Sequence, residues 1–211
     1  MTRGTARAKA PILKLPQPER QALLDDLNYL NTEEIKSFCT RHSIPFRIVF
    51  ESPDGCRTAK DHDRKGIVLG RIRHFLETGK VLPATRFPAA VVRVDPPPEI
   101  LSPDDRLFYG QYDKANCGLT GLLEDLTGGQ FRNGAIARIL AHEFWSAGRA
   151  PTFREFAAAW LRAVNEHTAP NPEWAFLSDR ANQTAGSDWK KLRSRKAAAV
   201  LQKLGRITPA V

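Results

Sequence analysis

Apolar residues recur at helical spacing along most of the chain, and the places where the period breaks mark its joints. In "QPERQALLDDLNYL" Leu23, Leu24 and Leu27 share one helical face. Asn31 then precedes a second helix, "TEEIKSFCTRH", and Glu34 three positions on completes a capping box. Ile35, Phe38, Cys39 and His42 form its stripe. The period changes in "IPFRIVFESPDGCRTAK", where β-branched and aromatic residues run into Ser52, Pro53, Asp54 and Gly55, so a short hairpin is predicted. Helical spacing returns in "DRKGIVLGRIRHFLETGK", which Gly79 stops. A wheel at about 100° per residue puts Val68, Ile72, Phe75 and Leu76 on one arc of that helix. Arg64, Arg71 and His74 then lie along one flank and Arg73 on the other.

Six prolines between Val81 and Pro103 leave little room for regular structure, so residues 81–107 are expected to be an extended, Pro-rich linker, stiff around "DPPPE". Beyond it, "NCGLTGLLEDL", "NGAIARILAHEFWSAG" and "TFREFAAAWLRAVNEH" are three helical segments separated by glycine-rich breaks. Thr152 and Glu155 give a second capping box. Phe131, Ile136, Leu140, Trp145, Phe153, Phe156 and Trp160 are the core candidates. A polar loop, "TAPNPEWAFLSDRANQTAGS", leads to a last helix starting near Asp188, with Trp189, Leu192 and Val200 facing inward. The expected fold class is mainly α. Residues 1–16 form a disordered basic arm, 17–80 a helix–extended–helix module with an inserted hairpin, 81–107 the linker, and 108–211 a small helical domain ending in a basic helix.

Charge alters this picture by its distribution. Residues 1–80 hold 15 basic and 10 acidic groups, residues 81–168 hold 9 and 10, and residues 169–211 hold 8 and 3. The net +9 therefore sits at the two ends, around a slightly acidic middle. Clustered positive charge points to a polyanion partner. In the last helix Lys190, Lys191, Arg193, Arg195 and Lys196 crowd the first two turns, against the preference of the helix dipole. Phosphates arriving at the helix start relieve that conflict. No apolar run is long enough for a membrane span. Three cysteines cannot all pair within one chain, which argues for a reducing compartment and places the chain in the cytoplasm.

Enzyme chemistry finds little support. Cys39, His42, Cys56 and His62 invite a zinc reading, but their intervals match no familiar ligand spacing, and Cys39 falls on an apolar stripe. Asp54, Asp63 and Lys65 resemble the metal-binding pattern of restriction-type nucleases, yet Asp63 and Lys65 open a helix, where Asp63 is better placed as a cap. "HEFW" at His142 lacks the second histidine of a metalloprotease, because Ser146 stands in its place. There is no phosphate loop, no dinucleotide glycine fingerprint and no Gly-x-Ser-x-Gly elbow. No cofactor is expected.

The first helix pair resembles the SAP motif, a small helix–extended–helix DNA-binding module. Leu30, Glu34, Ile35, Lys36, Phe38 and Ile44 match its first half, and Lys65, Val68, Arg71, Ile72, Phe75 and Leu76 its second, followed by "LETGK" as in bacterial members. Ser43 and Asp63 stand where that motif commonly has glycine, and the connection between the helices is longer than usual. The resemblance implies that Lys65 and Arg71 occupy its basic positions. The middle region, with Tyr112, Lys114, Asn116, Gly128, Gly129, Phe131 and the "GRAPTFREFAAAW" close, resembles an uncharacterised domain that follows SAP-like motifs in many bacterial proteins. That second resemblance implies no function.

The expectation is a non-enzymatic, weakly sequence-selective protein for duplex DNA, contacting phosphates through basic helices, and nucleoid-associated if so. Its contact residues are Lys60, Arg64, Lys65, Arg71, Arg73, Lys190, Lys191, Arg193, Arg195 and Lys196, with Arg57 as an added contact. The alternatives are a scaffold whose central helical domain binds a protein partner, and a metal-dependent nuclease. No base-reading set and no aromatic stripe for stacking single strands stands out.

Overall fold

The computed structural model describes residues 10–52, 55–113, 115–166 and 186–209, with side chains in the last helix from residue 191. The protein is mainly helical with a small three-stranded sheet. It divides into two units that the chain visits alternately. Unit 1 comprises Met1–Phe46, Asp63–Ala84 and Ala175–Val211, and unit 2 comprises Arg47–His62 and Thr85–Trp174.

Unit 1 is helical. Helices α1 (Gln17–Asp26), α2 (Thr32–Arg41) and α3 (Lys65–Thr78) pack around Leu23, Leu27, Ile35, Phe38, Ile72 and Leu76. The capping box at the start of α2 forms as expected. The Glu34 amide donates to Asn31 Oδ1 at 2.8 Å, and the Asn31 amide donates to Glu34 Oε2 at 2.6 Å. Helix α2 ends in a Schellman arrangement, with the Ile44 amide bonded to the Cys39 carbonyl at 2.9 Å and the Ser43 amide to that of Thr40 at 3.3 Å. This motif needs a left-handed residue after the cap, and Ser43 supplies it at φ 54°. A Cβ is strained there, which is the physical reason glycine is favoured at such a position. Gly79 ends α3 in the same left-handed region, at φ 71°.

Three segments of the chain differ from expectation. Residues 10–16 belong to no disordered arm: Pro11–Lys14 makes a 3-10 turn that buries Ile12 and Leu15 in unit 1. Residues 1–9 lie outside the described residues. The segment 81–107 is more than a linker. It contributes the short strand Arg86–Phe87 and the 3-10 turn Ala89–Val91, and Phe87, Val91 and Leu107 are buried in unit 2. The basic C-terminal helix Gly186–Ile207 joins unit 1 rather than the helices of 108–165, because its stripe of Ala197, Val200, Leu204 and Ile207 is buried in that core. The polar loop expected over 168–187 lies outside the described residues except for Gly186 and Ser187, which belong to the helix.

Unit 2 holds the predicted hairpin, β1 (Arg47–Ser52) and β2 (Gly55–His62), in antiparallel register with an irregularity between Arg47 and Val49. The strand Arg86–Phe87, β3, adds to β1 in parallel, giving the order β2-β1-β3. Helices α4 (Cys117–Leu126), α5 (Ala135–Ser146) and α6 (Phe153–Asn165) complete the unit. Two helix starts there are capped by side chains. Asn116 Oδ1 accepts from the Leu119 amide, and Thr152 and Glu155 bond reciprocally as expected. Phe131, Trp145, Phe153, Phe156 and Trp160 are buried as expected, whereas Ile136 and Leu140 are half-buried at the margin of that core. The last helix, Gly186–Ile207, is α7.

Candidate nucleic-acid interface

Charge separates by unit more sharply than by sequence segment. Among the described residues, unit 1 carries 16 basic and 8 acidic residues, a net +8, while unit 2 carries 11 and 12, a net −1. The basic start of α3 and the basic turns of α7 both lie in unit 1, and they meet. Lys65 Nζ donates to the Asn28 carbonyl at 2.6 Å, and Arg193 Nε donates to the adjacent Tyr29 carbonyl at 3.1 Å. Burial lowers the Lys65 pKa to about 8, the neighbouring Arg193 guanidinium pushes it the same way, and Glu34 opposes them.

Meeting does not leave every cation available. Arg193 Nη2 pairs with Glu34 Oε2 at 2.7 Å, and Lys196 Nζ sits 3.0 Å from both Asp26 oxygens and above the Tyr29 ring. Lys203 lies 4.0 Å from Glu19. These three side chains project from the inner flank of α7 and join it to α1 and α2. The wheel that turns them inward turns Lys191, Arg195 and Arg206 outward, all three exposed, on a stripe about 22 Å long at 1.5 Å per residue. Arg206 escaped the sequence reading because it sits alone. Its signal was the helical period running on from Lys191 and Arg195.

Arg71 is the largest departure. Its guanidinium is buried, with Nη1 2.8 Å from Asp63 Oδ2 and 3.1 Å from the Pro45 carbonyl, and Nε 3.0 Å from the Pro83 carbonyl. A helical wheel puts it on a flank. Asp63 and the two carbonyls draw it inward, where a charge is tolerated only when paired. Arg71 thus holds the interior of unit 1 together and cannot reach a phosphate. Asp63 in turn does not cap α3: its side chain belongs to Arg71, and the N-cap of α3 is Arg64, with no side-chain cap bond.

Arg64 and Arg73 are half-buried, and Arg73 Nη2 lies 3.5 Å from the Leu24 carbonyl. Lys60 and Arg57 are exposed on β2 and belong to unit 2. Lys190 has its side chain outside the described residues, as does Asp54 entirely. For the zinc reading, Cys39 is fully buried, and burial raises its pKa to about 11. His42 packs its ring between Phe38 and Phe75, at centroid distances of 4.5 and 5.3 Å. Burial and then Arg41 lower its pKa. Cys56 and His62 belong to unit 2, and no group of three or more metal-ligating side chains gathers among the described residues. Nor is any described helix long and apolar enough to cross a membrane.

No family model, curated protein or solved structure matches this chain.

Proposed function

We propose that the chain is a non-enzymatic protein that binds duplex DNA through unit 1, with little sequence selectivity. The observation that carries this reading is the excess of eight positive charges among the described residues of unit 1, against a nearly neutral set in unit 2. Charge kept for solubility has no reason to gather on one unit. The contacts are the outer stripe of α7, Lys191, Arg195 and Arg206, with the half-buried Arg64, the N-cap of α3, and Arg73 within it as further contributors. Phosphates meeting the stripe release counterions, which supplies affinity without reading bases. Arg193, Lys196 and Arg71 act one level below, holding α7 and α3 in place through carboxylates and carbonyls.

Fluorescence anisotropy of a random-sequence duplex at rising salt tests this. Replacing Lys191, Arg195 and Arg206 together with Ala should make the plot of log affinity against log salt shallower by roughly 0.9 for each phosphate that is no longer neutralised. Arg193→Met should leave that slope unchanged. A slope indifferent to the triple variant refutes the assignment and favours a protein partner instead.

A further inference from the structure

Unit 2 contains a groove of about 810 Å³, within the range of pockets that bind small ligands. Its floor joins residues far apart in the chain: Phe50 from β1, Tyr109 and Tyr112 from the turn before α4, and His142 and Trp145 from α5. Tyr109 and Tyr112 pack against Trp145 at 5.5 and 6.0 Å between ring centroids, and His142 packs against it at 5.8 Å. Trp145 is buried and fixed by its indole N–H bond to the Leu107 carbonyl at 3.0 Å, whereas the tyrosines and His142 stay half-exposed. The Tyr112 hydroxyl donates to Asn133 Oδ1 at 2.8 Å, and that of Tyr109 to Asp61 Oδ2 at 3.2 Å, so both rings are held in place.

The rim carries Arg57 and Lys60 from β2 and Arg138 from α5, all exposed. Two carboxylates oppose them, Asp61, which accepts the Tyr109 hydroxyl, and Asp113. The rim is thus net positive on a unit that is otherwise slightly acidic. Gly110 shapes the turn between the two tyrosines. It has φ 97°, and a Cβ there would lie 2.1 Å from the Arg93 carbonyl oxygen, so the backbone passes where no side chain fits.

We propose that this groove binds one nucleotide, its base against the aromatic floor and its phosphate at Arg57, Lys60 and Arg138. Flat π faces beside cations are what an unpaired base with its phosphate requires, and every base offers such a face. The smaller recess beside Arg93, Arg106 and Phe108, about 170 Å³, is below the roughly 300 Å³ at which ligand pockets begin. The nucleotide comes either free or as an unpaired position in a single strand. This site is independent of the duplex contacts assigned to unit 1.

The test uses the full chain with Lys191, Arg195 and Arg206 already changed to Ala, so that the stripe of α7 contributes nothing. Calorimetric titration with adenosine monophosphate, ribose 5-phosphate and an oligodeoxyadenylate separates the terms. The base should make adenosine monophosphate bind about tenfold or more tighter than ribose 5-phosphate. Adding Lys60→Ala and Arg138→Ala, two exposed positions where the circular dichroism should stay unchanged, should weaken its binding about tenfold. If the oligonucleotide binds more tightly than the mononucleotide and shows the same loss, the source is a single strand. Binding of the mononucleotide alone makes the source free nucleotide. The proposal is overturned if neither ligand binds, if ribose 5-phosphate binds equally well, or if the double change leaves affinity intact.

Discussion

Replacing Arg71 with Met tests whether its guanidinium is structural. The side chain of Arg71 is 6% exposed and that of Asp63 is fully buried, so the change leaves a carboxylate in the interior without its counter-charge. It also removes the donors to the Pro45 and Pro83 carbonyls. Breaking one partner of a buried pair costs about 3–5 kcal/mol, a large share of the roughly 5–15 kcal/mol that holds a domain folded. With a urea dependence of about 2 kcal/mol per molar, the midpoint of unfolding should fall by about 2 M. Circular dichroism at 222 nm follows it, because unit 1 is helical. The double variant Asp63→Leu, Arg71→Met removes both charges, so it should lose less stability than Arg71→Met alone. A loss below about 1 kcal/mol for Arg71→Met refutes the reasoning, as does a double variant that loses the sum of the two singles.

Three further predictions concern two groups whose ionisation the fold displaces. Of the three thiols, Cys56 and Cys117 are exposed and Cys39 is buried with its pKa raised to about 11, so a thiol reagent at pH 8 should label two at once and the third only on unfolding. Lys65 titrates near pH 8 in the folded chain, below the 10.5 of a free lysine, so the unfolded state holds more protons between those values. Its contribution to stability should therefore rise from about pH 8 to about pH 10.5, measured as the difference between the native chain and Lys65→Met. Arg193→Met should move the Lys65 midpoint upward in a lysine-resolved NMR titration, and Glu34→Gln should move it downward.

What the sequence determined was local. The boxes at Asn31–Glu34 and Thr152–Glu155, the stop at Gly79 and the hairpin around Gly55 need only residues a few positions apart, so spacing alone shows them. It determined the overall excess of positive charge as well, since charge is a count. Tertiary structure decided which of those charges face water. Arg71 and Arg73 stand two positions apart on one helix, yet only Arg71 meets Asp63 and two carbonyls and is drawn inside. On α7, Arg193 finds Glu34 from 159 residues away while Arg195 stays exposed. Tertiary structure likewise sent the hairpin into unit 2 and the last helix into unit 1, and it gathered Phe50, Tyr109, Tyr112, His142 and Trp145 into one groove that no stretch of sequence contains. A side chain's chemistry is fixed by its own atoms, but its role depends on partners that only long-range packing brings within a few ångströms.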